Sequence, residues 1–178
     1  MDASPVVAVS VRLWLVRHGA TIRTGERLSG WSDVPLSSEG REQAGALGER
    51  LRRRSFDGRW TSDLPRARET ARIAVGGAQP DARLRELDFG DLEGRRWGEI
   101  APSLQAALLR FDGARPPGGE SVEELRGRVE AFLSTLVPGR HLVFTHGGVI
   151  RMLLRERGCD RVVAPGSITI LPWRGAGG

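Results

Sequence analysis

The chain has 178 residues, 39% hydrophobic and 28% charged, a balance that suits one soluble globular domain and excludes a disordered segment. Its single cysteine, Cys159, excludes an intrachain disulfide framework, and no run approaches the roughly 18 consecutive apolar residues of a membrane span. The net charge of +5 is carried by 27 arginines and no lysine. These are scattered, and no motif interleaves them with aromatics, which argues for a compositional bias and against a nucleic-acid surface.

No basic segment precedes the apolar residues near Val6, so an early strand is expected there and not an export signal. One thiol and no span predict a cytoplasmic address. A single domain over 1–178 is expected, with 1–9 and 175–178 as flexible termini.

In chain order, Val11 to Val16 reads as a short buried strand. Ser37 caps a helix through Ala44, Leu47 and Leu51, although Gly40 stands where a capping-box acid would be. Arg52, Arg53 and Arg54 complement that helix's C-terminal dipole. Asp57-Gly58 breaks it, Arg59 to Thr61 forms a second strand, and Pro65 opens a helix through Ala74. Gly76 to Pro80 is expected as a loop and Leu84 to Leu87 as extended chain. A helix over Leu104 to Phe111 precedes the Pro116 to Gly119 stop. Ser121 and Glu124 make a capping box for a helix through Leu136. His141 to Thr145 is a strand, Val149 to Arg157 a helix, and Ile168 to Trp173 a last strand.

Strands alternating with helices predict an α/β fold: a three-layer sandwich whose central, mainly parallel sheet is flanked by helices. In such sheets ligands gather beyond the carboxyl ends of strands. Two strand–His–Gly junctions lie there, Arg17-His18-Gly19 and Thr145-His146-Gly147, using two of the three histidines. Imidazole is a competent nucleophile when one nitrogen is held as donor and the other left free. A guanidinium fork beside it matches two phosphate oxygens. Glycine after His146 allows close approach to a ligand, and the following helix N-terminus favours an anion. His141, at a strand start, is read as structural. Arg66 falls in the first turn of a helix after a strand and points to the same rim. The segment Leu84 to Gly94 offers carboxylic acids (Glu86, Asp88, Asp91 and Glu93) to protonate a leaving oxygen, and spacing alone does not choose among them.

Together these four elements resemble the histidine phosphatase superfamily, which includes cofactor-dependent phosphoglycerate mutase. Gly30 to Ser37 and Pro117 to Ser121 are similar to two further stretches of that family. The resemblance implies that His18 is the phosphorylated nucleophile and that Arg17, Arg66 and His146 form the phosphate pocket. Glu86 takes the position of the proton donor, and Gly147 lends a backbone N–H to the phosphate. Ala20 departs from the family's usual Glu, and the following loop is about one residue shorter than usual. Thr24 stands nearest to the usual Asn phosphate contact, with Thr21 as the other candidate hydroxyl.

The stretch from Glu86 to Pro117 lacks the insertion found in the family's mutases, which favours hydrolysis of phospho-His18. The compact length and both histidine motifs look like the bacterial α-ribazole phosphatase branch. The expectation is a metal-independent phosphomonoesterase with no cofactor and no metal site. Its partner is a small phosphorylated substrate, not nucleic acid or membrane, and a homodimer is left open. A phosphoglycerate mutase is the alternative enzyme. A phosphate- or phosphoprotein-binding module is the alternative of another class, opposed by the intact nucleophile and acid.

Overall fold

Side chains along β1 (Val11–Arg17) alternate between two apolar environments. Leu13 and Leu15 enter one core, while Val16 and the adjoining Trp14 enter another. A strand buried on both faces needs a layer on each side. The computed structural model, which describes residues 10–173 except Asp112 and Ala114, has both. Helices α1 (Ser38–Leu51) and α2 (Pro65–Val75) cover the face presenting Val16, Leu142 and Phe144. Helices α4 (Val122–Leu133) and α5 (Gly147–Arg155) cover the opposite face, joined at its margin by Leu108 and Phe111 at the end of α3 (Pro102–Arg110).

The sheet also contains β2 (Gly58–Thr61), β3 (Gln79–Pro80), β4 (Gly139–Thr145) and β5 (Ile168–Trp173), in the order β3-β2-β4-β1-β5. Only β5 runs antiparallel to its neighbour, so the fold is the expected α/β sandwich with a mainly parallel sheet. The register matters most at the centre. Arg17 on β1 lies opposite Thr145 on β4, so the next residues, His18 and His146, emerge together at one sheet edge. The His18 amide donates to the Thr145 carbonyl at 3.0 Å and fixes that junction.

Four local expectations change. Gln79 and Pro80 pair with β2 instead of forming a loop, and proline is tolerated because β3 is an edge strand. Leu84 to Leu87 is not extended. Ala82–Leu84 is a 3₁₀ turn capped by the Asp81 carboxylate, and such side-chain bonds compete with a strand ladder. Helix α4 stops at Leu133, where the Thr135 hydroxyl turns back to the Phe132 carbonyl. Helix α5 starts at Gly147, two residues earlier than expected, and ends at Arg155. The terminal segments 1–9 and 175–178 lie outside the described residues. Among the described residues, no helix is long and apolar enough to cross a membrane.

The missing capping acid of α1 has a steric reason. Ser37 caps the helix by accepting from the Gly40 amide at 3.1 Å, and Gly40 packs directly on the nucleophile turn. A Cβ at Gly40 would overlap the Ala20 carbonyl, and one at Gly19 would overlap the Gly40 carbonyl. Gly40→Ala is therefore expected to lower stability by about 1–3 kcal/mol, as overpacking does. A urea midpoint equal to that of the wild type would refute this close packing.

Candidate active site

Each of the central side chains is placed by a strand end or the helix after it. Arg17 closes β1; its Nη1 donates to the Val163 carbonyl at 2.5 Å, and its Nε is buried without a hydrogen bond. His18 follows, 6% exposed. Its Nδ1 lies 2.7 Å from the Gly19 carbonyl, which can only accept, so Nδ1 carries the ring proton. Nε2 then holds a lone pair, met at 3.3 Å by the Arg66 Nε–H. Burial, then the charge of Arg66 and, more weakly, that of Arg17 push the His18 pKa down to about 3, against the pull of the Gly19 carbonyl. The imidazole is therefore neutral at ordinary pH, the form a nucleophile requires.

His146 is fully buried, with its ring 5.1 Å from that of His18 and both nitrogens unbonded. Its pKa is pushed well down, mainly by burial and then by the charge of Arg66. Arg66, 1% exposed in the first turn of α2, gives Nη1 to Ser32 O at 3.0 Å. Its Nη2 reaches Gly30 O at 2.5 Å and Ser29 O at 3.3 Å. The Thr70 hydroxyl donates to the Arg66 carbonyl and accepts from the Gly19 amide, joining α2 to the nucleophile turn.

Glu86 lies across the cleft. Its carboxylate accepts from the Gly148 amide and from its own neighbour Leu87, both at 2.9 Å. Glycines 147 and 148 make room for side chains: a Cβ at Gly148 would overlap Glu86, and one at Gly147 would touch the Arg17 guanidinium. Arg17, His18, Arg66, Glu86, Gly147 and Thr24 all line one cleft of about 380 Å³, with the buried His146 ring against that of His18.

Among the described residues, neither Arg17 nor Arg66 has a carboxylate at ion-pair distance, whereas Arg85, Arg128 and Arg151 are each paired. Burial pulls both guanidinium pKa values down, opposed chiefly by Glu86. Buried cations are normally paired and buried polar atoms normally bonded. Both His146 nitrogens, Arg17 Nε and Ser29 Oγ break that rule around one cleft, which marks a place prepared for an anion.

The model of the histidine phosphatase superfamily (branch 1) matches residues 13–174. The chain belongs to that superfamily. Members are phosphatases or mutases of phosphoric monoesters, and the enzyme class follows. The chain is 37% identical over 163 residues to 2,3-bisphosphoglycerate-dependent phosphoglycerate mutase 2 of Gloeobacter violaceus, covering 81% of this chain and 74% of that one. It is 45% identical to TTHB049 of Thermus thermophilus, with a TM-score of 0.85 over 91% of this chain and 94% of the other. An Escherichia coli K-12 chain named for a proposed alpha-ribazole-5'-P phosphatase activity is 31% identical, with a TM-score of 0.80 over 92% and 90% of the two chains.

In this histidine phosphatase the four candidate acids separate by position. Asp88 caps Gly90, and Asp91 packs against Gly118, away from the cleft. The Glu93 carboxylate accepts from the amides of Gly30 and Trp31 and from Ser32 Oγ, tying down the loop whose carbonyls hold Arg66. Only Glu86 lines the cleft. Thr24 also lines it, but its Oγ1 accepts from the Thr21 amide at 2.8 Å and meets Thr21 Oγ1 at 3.1 Å, so one hydroxyl closes the turn while facing the substrate space.

Sequence reasoning missed Ser29 and Arg128, and it named Glu93 as a candidate acid and not as the anchor of the 30–32 loop. Arg128 donates to the carbonyls of Arg83, Arg85 and Glu86 and pairs with Glu120 at 2.6 Å, which fixes the backbone that carries Glu86. Among the described residues, no three His, Cys, Asp or Glu side chains gather as a metal would need.

Proposed function

We propose that the protein is a metal-independent phosphomonoesterase that works through phospho-His18. The observation that carries this reading is the neutral His18 lining the cleft, its Nε2 lone pair at the Arg66 Nε–H, beside two guanidinium groups that, among the described residues, have no carboxylate at ion-pair distance. Arg17 and Arg66 spread positive charge over the phosphoryl oxygens, and the buried His146 adds a ring N–H donor. Gly147, at the start of α5, offers a backbone N–H to the same group. The Thr24 hydroxyl contacts the phosphate from the cleft rim.

His18 Nε2 attacks phosphorus as the ester P–O bond breaks. The leaving oxygen takes a proton from Glu86, the one of the four candidate acids that lines the cleft. The resulting carboxylate then draws a proton from water. Water attacks the phosphorus, the N–P bond breaks, and inorganic phosphate leaves His18 free. Arg66→Ala is expected to lower turnover by about 10²–10³, the cost of removing one preorganised charge-stabilising donor. An Arg66→Ala enzyme with full activity would refute this pocket.

The substrate is a small phosphorylated metabolite, with α-ribazole 5'-phosphate as the named candidate, supported by the E. coli relative. Phosphoglycerate mutase is the second reading, supported by the G. violaceus relative. Phosphate release from both compounds with EDTA present, alongside interconversion of the phosphoglycerate isomers, separates the two. Release without isomer interconversion supports the phosphatase; interconversion with little release supports the mutase.

A further inference from the structure

Beyond the phosphate pocket, the cleft wall changes character. Phe89, Trp97, Leu108, Leu109, Phe111 and Val162 line it. Three of the seven exposed large apolar side chains among the described residues stand at this one mouth: Trp97 at 37%, Leu109 at 58% and Val162 at 77% exposure. Single exposed apolar residues are unremarkable, but a group beside a reactive centre presents a surface that gains by being covered.

The arginines of this outer region are mostly engaged. Arg151 bonds Asp160 and the Leu109 carbonyl and lies 5.2 Å over the Phe111 ring; Arg27 bonds the Gly94 carbonyl. That leaves Arg23 for a polar group on the substrate. A small second acid, as in a phosphoglycerate, would face mainly hydrocarbon here. A flat aromatic group would find ring faces and aliphatic edges.

We infer that the leaving alcohol of the natural substrate carries an apolar, aromatic body that lies against the Trp97–Leu109–Phe111–Val162 wall. The inference rests on the phosphomonoesterase reading above. Ethyl, benzyl and 2-naphthylmethyl phosphate test it. All three release primary alcohols, so intrinsic leaving-group reactivity stays nearly constant.

The expected result is a rise in kcat/KM along the series, about 10- to 100-fold from ethyl to the larger aromatic esters, as apolar area is buried. In a Leu109→Gln/Val162→Gln double variant that rise is expected to shrink several-fold. Both sites are exposed, so the fold tolerates the changes. A flat series, a preference for 3-phosphoglycerate over benzyl phosphate, or a double variant with an unchanged ratio overturns the inference while leaving the phosphatase reading in place. No release from any ester overturns the phosphatase reading itself.

Discussion

Replacing His18 by alanine is expected to lower phosphate release from every monoester by about four orders of magnitude or more, while inorganic phosphate still binds. The two effects separate because different atoms carry them. In the proposed reading Arg17, Arg66 and His146 hold the anion through charge and N–H groups that the substitution does not remove. Only His18 Nε2 offers a lone pair at the phosphorus, and water in the vacated space is a far weaker nucleophile. Among the described residues His18 has one side-chain hydrogen bond, accepted from Arg66, besides its ring contact with His146, so its loss leaves the surrounding loop bonds intact. Rate and phosphate affinity measured on the same preparation check this. A variant that keeps a tenth of wild-type turnover would mean that another group, or water directly, attacks the phosphorus.

The second large effect is expected from Glu86→Gln. It lowers kcat/KM for alkyl phosphates by about 10²–10⁴, the usual worth of a positioned general acid. For p-nitrophenyl phosphate the loss is much smaller, because that phenolate leaves without a proton. The contrast isolates proton donation from binding, since glutamine keeps the size of the side chain and an oxygen for the Gly148 amide. Equal losses on both esters would assign Glu86 to phosphate positioning. Unchanged rates on alkyl esters would return the acid's role to another carboxyl, although Asp88 and Glu93 are bonded to backbone amides and none of Asp88, Asp91 and Glu93 lines the cleft.

The centre of the site was legible in the sequence because its signals are local. A short apolar strand followed by His-Gly, twice, places two imidazoles at strand ends, and the sheet register then sets those ends side by side. Arg66 was legible for a similar reason: a strand, a proline and one helical turn fix its direction. What escaped depends on contacts between distant loops. Glu93 matters because it grips residues 30–32, and Arg128 because it reaches the carbonyl of Glu86; nothing in the neighbouring residues of either records this.

Gly40 was visible only as an anomaly, a capping box without its acid. Its cause, contact with the nucleophile turn, lies about twenty residues away in sequence. The Leu84 to Leu87 segment misled because the extended reading passed over the capping signal of Asp81 just before it. Gly147 and Gly148 fit a ligand-approach motif in the sequence, yet in the structure they also admit the side chains of Arg17 and Glu86.

The central claim is that the phosphoryl group rests on His18 between two displacements. Rapid mixing with a ³²P-labelled monoester, alkaline quenching and peptide mapping tests it most directly. The account predicts acid-labile, alkali-stable label on the peptide containing His18, absent from His18→Ala and decaying in water no more slowly than turnover. Phosphate release with no label on that peptide, or label on another residue, would contradict it.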